Sequence, residues 1–372
     1  MLRSREAPMK NGKWMLAFAM LTVMLGMACN SKPNANGSST VVANKSGNSN
    51  QIIGAGSTFV YPIMSKWIEG FQQQSNGVQI NYQSIGSGGG IQQLKKGLVD
   101  FGASDASLDD EALKGNAPML QIPESAGPVC ITYNLPALKT PLKLTPKALA
   151  GIFLGTIKTW KDPEIVKANA GAALPNTPIV VAHRTEGSGT TGIFTTYLSA
   201  VSPEWLQKVG KGTNVQWPVG LGGKGSEGVT GIVKQSPGSV GYVELTYALG
   251  NNLPVAEVQN SAGKFVAPSS ESASAAIAAF ADNLAADVRT PIVNPSASAA
   301  EAYPISGLTF LMVTTDGPDA AKRAMVKRFI KYVVSDGQKQ ASGLHYAPLP
   351  PALIAQDQKL LDQMTADGKP LQ

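Results

Sequence analysis

The sequence predicts an α/β fold with largely parallel sheets and helices on both faces. Three observations predict it. From about residue 51, short apolar strand-like runs alternate with runs whose apolar residues recur every three or four positions. The turns leading from strand to helix are built of Gly, Ser and Thr. No self-similarity at a period of about 20–50 residues offers a repeat architecture instead.

The elements follow in order. Gln51 to Ile53 opens a strand, and Gly54-Ala55-Gly56-Ser57-Thr58-Phe59 turns into a helix with Val60, Met64, Trp67 and Phe71 along one face. Val78, Ile80 and Tyr82 alternate as in a strand that ends at Ile85-Gly86-Ser87-Gly88-Gly89-Gly90, and Ile91, Leu94 and Leu98 continue as a second helix. Leu98 to Ala103 reads as a short strand ending in Ser104-Asp105, after which Ser107 and Asp110 stand where they could cap a helix. In the middle of the chain, Ile179 to Ala182 is an apolar strand. It runs into His183-Arg184-Thr185-Glu186-Gly187-Ser188-Gly189-Thr190-Thr191, and Ile193, Phe194, Tyr197 and Leu198 mark the next helix. Leu221 to Gly225 reads as a loop and the Ala-rich run from Ser272 to Ala286 as helix. Pro318 to Asp336 reads as an amphipathic helix, with Pro near its start and Gly337 after its end. Lys322, Arg323, Lys327, Arg328 and Lys331 fall on it at helical spacing and read as a solvated face.

The first residues stand apart. Arg3, Arg5, Lys10 and Lys13 against Glu6 precede an apolar, uncharged run from Trp14 to Met27, the pattern of an export signal and too short to span a bilayer comfortably. Cys29 directly after Ala28 is the pattern of a bacterial lipoprotein signal, in which the thiol is acylated. Ordinary cleavage near Ala28 is the alternative. Residues 30–50, rich in Asn, Ser, Gly and Lys, cannot bury enough apolar surface to order themselves and read as a flexible tether. The chain beyond them is long enough for two domains.

Charge and cysteines exclude several classes. The net charge is +6, and the four bases and one acid of the export signal account for half of it, too mild a remainder for nucleic-acid binding. Cys29 and Cys130 are the two cysteines; with Cys29 acylated, Cys130 is a small buried apolar residue and no disulfide forms. Two histidines, His183 and His345, without a Cys/His cluster exclude a zinc site, and no Ser-His-Asp set stands out for nucleophilic catalysis. No cofactor is expected.

The chemistry sits in the three glycine-rich turns. A helix's first turn presents free N–H groups and the positive end of its dipole, a seat for an anion. Glycine allows close approach and hydroxyls add donors. None fits a nucleotide-binding loop; a small anion suits them better. Arg184, between an apolar strand and the third seat, could hold two oxygens of an oxyanion, or lie on the surface at a strand end. Glu186 either orients it or faces water. Asp105 is unfavourable beside an anion unless the anion carries a proton; otherwise it is a turn aspartate.

From Gly54-Ala55-Gly56-Ser57-Thr58-Phe59 onward the sequence resembles the periplasmic phosphate-binding proteins of phosphate ABC transporters. The likeness includes Asn81 to Gly89, Val99 to Asp105, Arg184 to Thr190, Trp217 to Gly225 and Val240 to Glu244, and covers nearly the whole mature chain. The resemblance implies a bilobal periplasmic-binding-protein fold (type II), two α/β lobes joined by two crossover strands, at Gly127 to Tyr133 and Pro304 to Thr314. Lobe one would be 51–128 and 306–372, lobe two 129–305, after a signal over 1–28 and a tether over 29–50. By position, it places Thr58, Phe59, Ser87, Asp105, Arg184, Ser188, Gly189 and Thr190 on phosphate, with Asp105 accepting the phosphate proton. Glu186, where many members have Asp, would neutralise or orient Arg184; His183 receives no role. The expected protein is a monomer, no enzyme, lipid-anchored through Cys29 outside a bacterial membrane. It would deliver phosphate to the importer's membrane subunits. Sulfate and molybdate carry no proton for Asp105; arsenate does, and is not distinguished. A phosphatase lacks metal ligands and a nucleophile–base pair here. An adhesive surface lipoprotein is the remaining rival.

Overall fold

The computed structural model describes residues 50–371; the expected export signal, Cys29 and the expected tether as far as residue 49 lie outside the described residues. The chain opens with β1 (Gln51–Gly56), followed by α1 (Tyr61–Gln74), which buries Ile63, Met64, Trp67 and Phe71 on one face. Pro62 sits in the first turn of α1, where a missing N–H costs nothing. Next come β2 (Gln79–Ser84), α2 (Ser87–Lys95) and β3 (Phe101–Ser104). The helix stops earlier than the sequence suggests: Leu98 lies beyond it and is 63% exposed. The short α3 (Asp110–Leu113) is capped by Asp109, whose carboxylate accepts from Ala112 N at 2.8 Å. Ser107 and Asp110 are not the caps because both serve Arg289. The Ser107 hydroxyl donates to its carbonyl at 3.2 Å, and Asp110 pairs with its guanidinium at 2.6 Å.

The 15-residue β4 (Met119–Tyr133) is buried throughout except at Met119. Beyond it come β5 (Lys143–Leu144), α4 (Pro146–Leu154), α5 (Pro163–Ala168), β6 (Val180–Arg184), α6 (Gly189–Val201) and α7 (Pro203–Lys208). Leu221 to Gly225, read as a loop, is instead the edge strand β7 (Leu221–Gly223) running into α8 (Gly225–Gln235). A run of three residues containing two glycines gives no periodic signal, and pairing with β6 makes it a strand. β8 (Ser239–Glu244), α9 (Leu245–Gly250), β9 (Glu257–Gln259) and β10 (Phe265–Val266) precede the Ala-rich run, which is two helices, α10 (Ser270–Ala279) and α11 (Ala281–Ala286), broken at Phe280. β11 (Ser306–Thr314), α12 (Ala320–Val333) and α13 (Pro351–Leu361) complete the main elements. α12 starts later than the sequence suggests, because Asp319 caps it, accepting from Lys322 N at 3.0 Å; Gly337 falls in a separate 3-10 turn, Asp336–Gln340.

Eight strands form one sheet in the order β2-β1-β3-β11-β4-β8-β6-β7. Its two ends are parallel, as the alternation of strand and helix predicts, and β1, β3, β6 and β8 feed helices at their carboxyl ends. Its centre is antiparallel: the first part of β4 pairs with β11 and Val129–Tyr133 pairs with β8. The β4–β11 register skips one residue. Pro123 faces Phe310 and Ser125 faces Thr309, so Glu124 is the unpaired residue of a bulge.

Apolar packing accounts for most of the chain's described helices. Ala273, Ile277 and Leu284 of α10 and α11 share a cluster with Ala55, Leu94 and Phe310. Cys130 is a free, fully buried thiol, used as a small apolar residue. The basic stripe of α12 is only partly a solvated face. Lys322 pairs with Asp100 at 3.0 Å, Arg323 donates to the carbonyls of Thr314 and Thr365, and Lys327 pairs with Asp362 at 3.6 Å.

Candidate functional site

The helices α1, α2 and α6 each follow a strand of the sheet, and their N-termini converge at the carboxyl ends of β1, β2 and β6. Neither α1 nor α2 has a side-chain cap, so their first-turn N–H groups are not spoken for by a cap. Gly86, at φ +89°, makes the sharp entry to α2, and a Cβ there would come 2.9 Å from the Glu186 side chain. Gly189 is required for another reason: its Cβ would lie 2.6 Å from the backbone N of Asp105.

These turns interlock through their hydroxyls. The Ser87 hydroxyl accepts from Gly189 N at 3.1 Å and from Asp105 N at 3.4 Å. Ser188 caps α6, accepting from Thr191 N at 3.2 Å. Arg184, whose side chain is 2% exposed, donates through Nη1 to the Thr190 hydroxyl at 3.4 Å, and Thr190 donates in turn to Asp105 Oδ2 at 3.0 Å. Asp105 Oδ1 accepts from the Ser57 hydroxyl. The structure thus places Ser87, Asp105, Arg184, Ser188, Gly189 and Thr190 in one connected cluster. Thr58 stands at its edge beside Ser57, and Phe59 follows, with its carbonyl taken by the Tyr346 hydroxyl at 2.6 Å.

Electrostatics give the cluster its character. Burial pushes the Asp105 carboxyl up to about 6, although hydrogen bonds from Ser57 and Thr190 and the charge of Arg184 oppose it. The group is therefore mostly ionised near pH 7 and gains its proton as pH falls through about 6. Arg184 Nε donates to Glu186 Oε1 at 2.8 Å, and Nη2 closes the fork on the same oxygen. Burial works against the Glu186 charge, but Arg184 outweighs it and holds the carboxyl below its ordinary range. Oε1 also accepts from Gly225 N at 3.1 Å, so the first residue of α8 joins the site.

Several participants were not legible in the sequence. Ser226, second in α8, shares a hydrogen bond with the Thr58 hydroxyl at 2.9 Å. The Tyr247 hydroxyl donates to the Thr58 carbonyl at 2.7 Å, and Gly88 N donates to Gly187 O at 2.9 Å. Tyr242 takes Arg184 N at 3.2 Å and lies 2.6 Å from the Thr191 hydroxyl. The composition of Lys224-Gly225-Ser226, another glycine and hydroxyl turn before a helix, is the signal that could have flagged Ser226. His183 stacks on Trp217 with ring centroids 4.9 Å apart, and its Nδ1 lies 3.0 Å from Arg184 O; both contacts hold the strand end in place.

Helix N-termini, buried hydroxyls and one buried arginine around a carboxylate make a candidate oxyanion site, placed where open α/β sheets bind ligands, at strand carboxyl ends. No group of three or more His, Cys, Asp or Glu among the described residues could hold a metal ion.

The comparisons place the chain among known proteins. A family model described as a PBP superfamily domain matches residues 41–337. Phosphate-binding protein PstS of Xylella fastidiosa (strain 9a5c) is 47% identical over 307 residues, covering 82% of this chain and 83% of that protein. The protein of the same name from Haemophilus influenzae is 42% identical, covering 82% and 91%. Among solved structures, a high affinity periplasmic phosphate-binding protein (PfluDING) bound with phosphate matches with a TM-score of 0.66 and 24% identity, covering 83% of this chain and 93% of that one. The chain belongs to the PBP superfamily and, within it, to the family of phosphate-binding proteins PstS. Its fold is the periplasmic binding fold.

Proposed function

We propose that this protein binds inorganic phosphate outside the cytoplasmic membrane and delivers it to the membrane subunits of a phosphate ABC importer. It acts as a carrier and catalyses nothing. The observation that carries the reading is Asp105: a buried carboxylate, held by two hydroxyls, in a seat otherwise made of donors. An acceptor there is useful only to an oxyanion that still bears a proton. In this reading the N–H groups of Thr58 and Phe59, the hydroxyls of Thr58, Ser87, Ser188 and Thr190, the N–H of Gly189 and the guanidinium of Arg184 surround phosphate, and Asp105 accepts its P–O–H. Glu186 holds Arg184 in its fork. Titration calorimetry should give tight binding of phosphate and almost no heat with sulfate, and a chromogenic phosphate ester should not turn over. Sulfate binding on a par with phosphate would overturn the assignment.

The lobes in this reading are 51–128 with 306–372 and 129–305, with β4 and β11 passing between them and α10 and α11 reaching back onto the first. Phosphate would shift an equilibrium between open and closed forms. Export, and acylation at Cys29, rest on the basic start, the apolar run and Ala28-Cys29. Among the described residues no helix is long and apolar enough to cross a membrane. Wild-type protein is then expected with the membrane fraction and the Cys29→Ser protein released or unprocessed. Mass spectrometry of the mature N-terminus checks this, since two acyl chains suffice for stable anchoring, and an unmodified N-terminus refutes it.

A further inference from the structure

Glu124 lies in the middle of β4 with its side chain fully buried, and neither carboxyl oxygen has a hydrogen-bond partner among the described residues. The bulge puts it there. As the residue that the β4–β11 register skips, it is free of the ladder that fixes its neighbours. Its backbone is well served, with Gln338 Nε2 donating to its carbonyl at 2.8 Å; only the carboxyl is stranded.

The register also says what lies nearby. Phe310 of β11 pairs with Pro123 on one side and with Ser104 on the other. Glu124 and Asp105 each come one residue later, on strands that run the same way, and so stand level with one strand between them. Asp105 is the titratable group whose charge bears on Glu124, the charge of Glu124 bears in turn on Tyr82 of β2, and the hydroxyl of Thr309 on β11 favours the charged form of Glu124. Tyr82 donates to Ser57 O at 2.9 Å, and Ser57 donates to Asp105, so all three belong to one buried polar group. Arg184 acts on Asp105 from β6. Burial first, and then the charge of Asp105, raise the Glu124 carboxyl well above its ordinary range. Burial likewise keeps Tyr82 neutral.

A stranded carboxylic acid lowers stability, and an apolar residue of similar size would fill β4 without that cost. Its position beside the acceptor of the anion site gives it a use. Two carboxyls in one water-poor space resist carrying two charges, and a bound anion adds to the resistance.

We propose that Glu124 is a positioning residue for phosphate capture, sharing a single charge with Asp105 and holding a proton whenever phosphate is bound, so that Asp105 alone remains the ionised acceptor. This rests on the phosphate reading above. Wherever Glu124 of the free protein is ionised, phosphate binding must return its proton, drawing one from the buffer.

The test is calorimetry of phosphate binding to the wild-type chain and to Glu124→Gln, in two buffers of different ionisation heat, across neutral and alkaline pH. Phosphate's own ionisation contributes equally to both proteins, so the difference between them is the readout. Wild type should take up the extra proton, with affinity falling up to about tenfold per pH unit where uptake is complete. Glu124→Gln should take up no extra proton, and its affinity should fall less steeply than that of wild type as pH rises. Equal proton uptake by the two proteins would overturn the proposal while leaving phosphate binding intact. Loss of phosphate binding by wild type would instead overturn the phosphate reading. Should the variant not fold, infrared difference spectra of wild type decide: phosphate binding at alkaline pH must add the band of a protonated carboxyl, and its absence refutes the role of Glu124.

Discussion

Asp105→Asn should bind sulfate where the wild-type chain does not. The hydroxyls of Thr58, Ser87, Ser188 and Thr190 can turn to donate to any oxyanion, so the donors alone do not reject sulfate. An ionised carboxylate can only accept. Phosphate as monobasic or dibasic ion keeps a P–O–H for it, whereas sulfate would press a bare oxygen against a buried negative charge. A mismatch of buried polar groups can discriminate by about 10⁴–10⁵-fold. The amide of asparagine presents a donor to the sulfate oxygen and should remove much of that ratio, while phosphate affinity falls less, because a carboxylate beside an anion also repels it. Acid should act in the same direction on wild type. Burial raises Asp105 to about 6, so below that pH the carboxyl is protonated, can donate, and should admit sulfate. Competition titration of both proteins with phosphate and sulfate, near pH 7.5 and near pH 5, checks both arms. A phosphate-to-sulfate ratio that neither the substitution nor acid changes would rule Asp105 out as the proton acceptor.

Arg184→Ala should weaken phosphate binding by roughly 30-fold to several thousand-fold, from the about 2–5 kcal/mol lost when a buried charge pair is truncated. The structure argues for the upper part of that range. Arg184 is the partner that holds Glu186 ionised, and its removal leaves a carboxylate, with one oxygen buried and unpartnered, beside the anion seat. Arg184→Lys should recover only part of the loss, since an ammonium cannot reproduce the fork that Nε and Nη2 make on Glu186. Glu186→Gln separates the two effects: it keeps a hydrogen-bond acceptor for Arg184 but removes the negative charge. Calorimetry on folded variants, checked by circular dichroism, reads all three. Wild-type affinity in folded Arg184→Ala would mean that the guanidinium serves the strand end and not the ligand.

What could be read from the sequence was what is local. The glycine and hydroxyl turns at Thr58, Ser87 and Ser188 announce themselves because a strand must end and a helix must begin within a few residues, and few side chains permit it. Alternation of strand and helix likewise gave the parallel ends of the sheet. The antiparallel centre is invisible to such reasoning, since β4 and β11 meet across nearly two hundred residues and periodicity carries no direction. Ser226 and Tyr247 reach Thr58 from 168 and 189 residues away; the glycine and hydroxyl turn marks Ser226 as a donor but not its partner, and nothing local marks Tyr247. Asp109 rather than Ser107 caps α3 because a distant arginine, Arg289, claims Ser107. Glu124 drew no reading from the sequence; only the register of a pairing shows that it is stranded.

The bonds between Thr58 and Ser226, and between Gly88 and Gly187, join segments on opposite sides of the proposed cleft through the protein's own groups. Each lowers the free energy that a captured anion must supply to close the protein, and so tightens apparent affinity. Strengthening such bonds would also favour closure ahead of capture, so scavenging power and fidelity of the message to the membrane would pull against each other at Thr58 and Ser226. A carrier tuned for scarce phosphate would sit nearer the first.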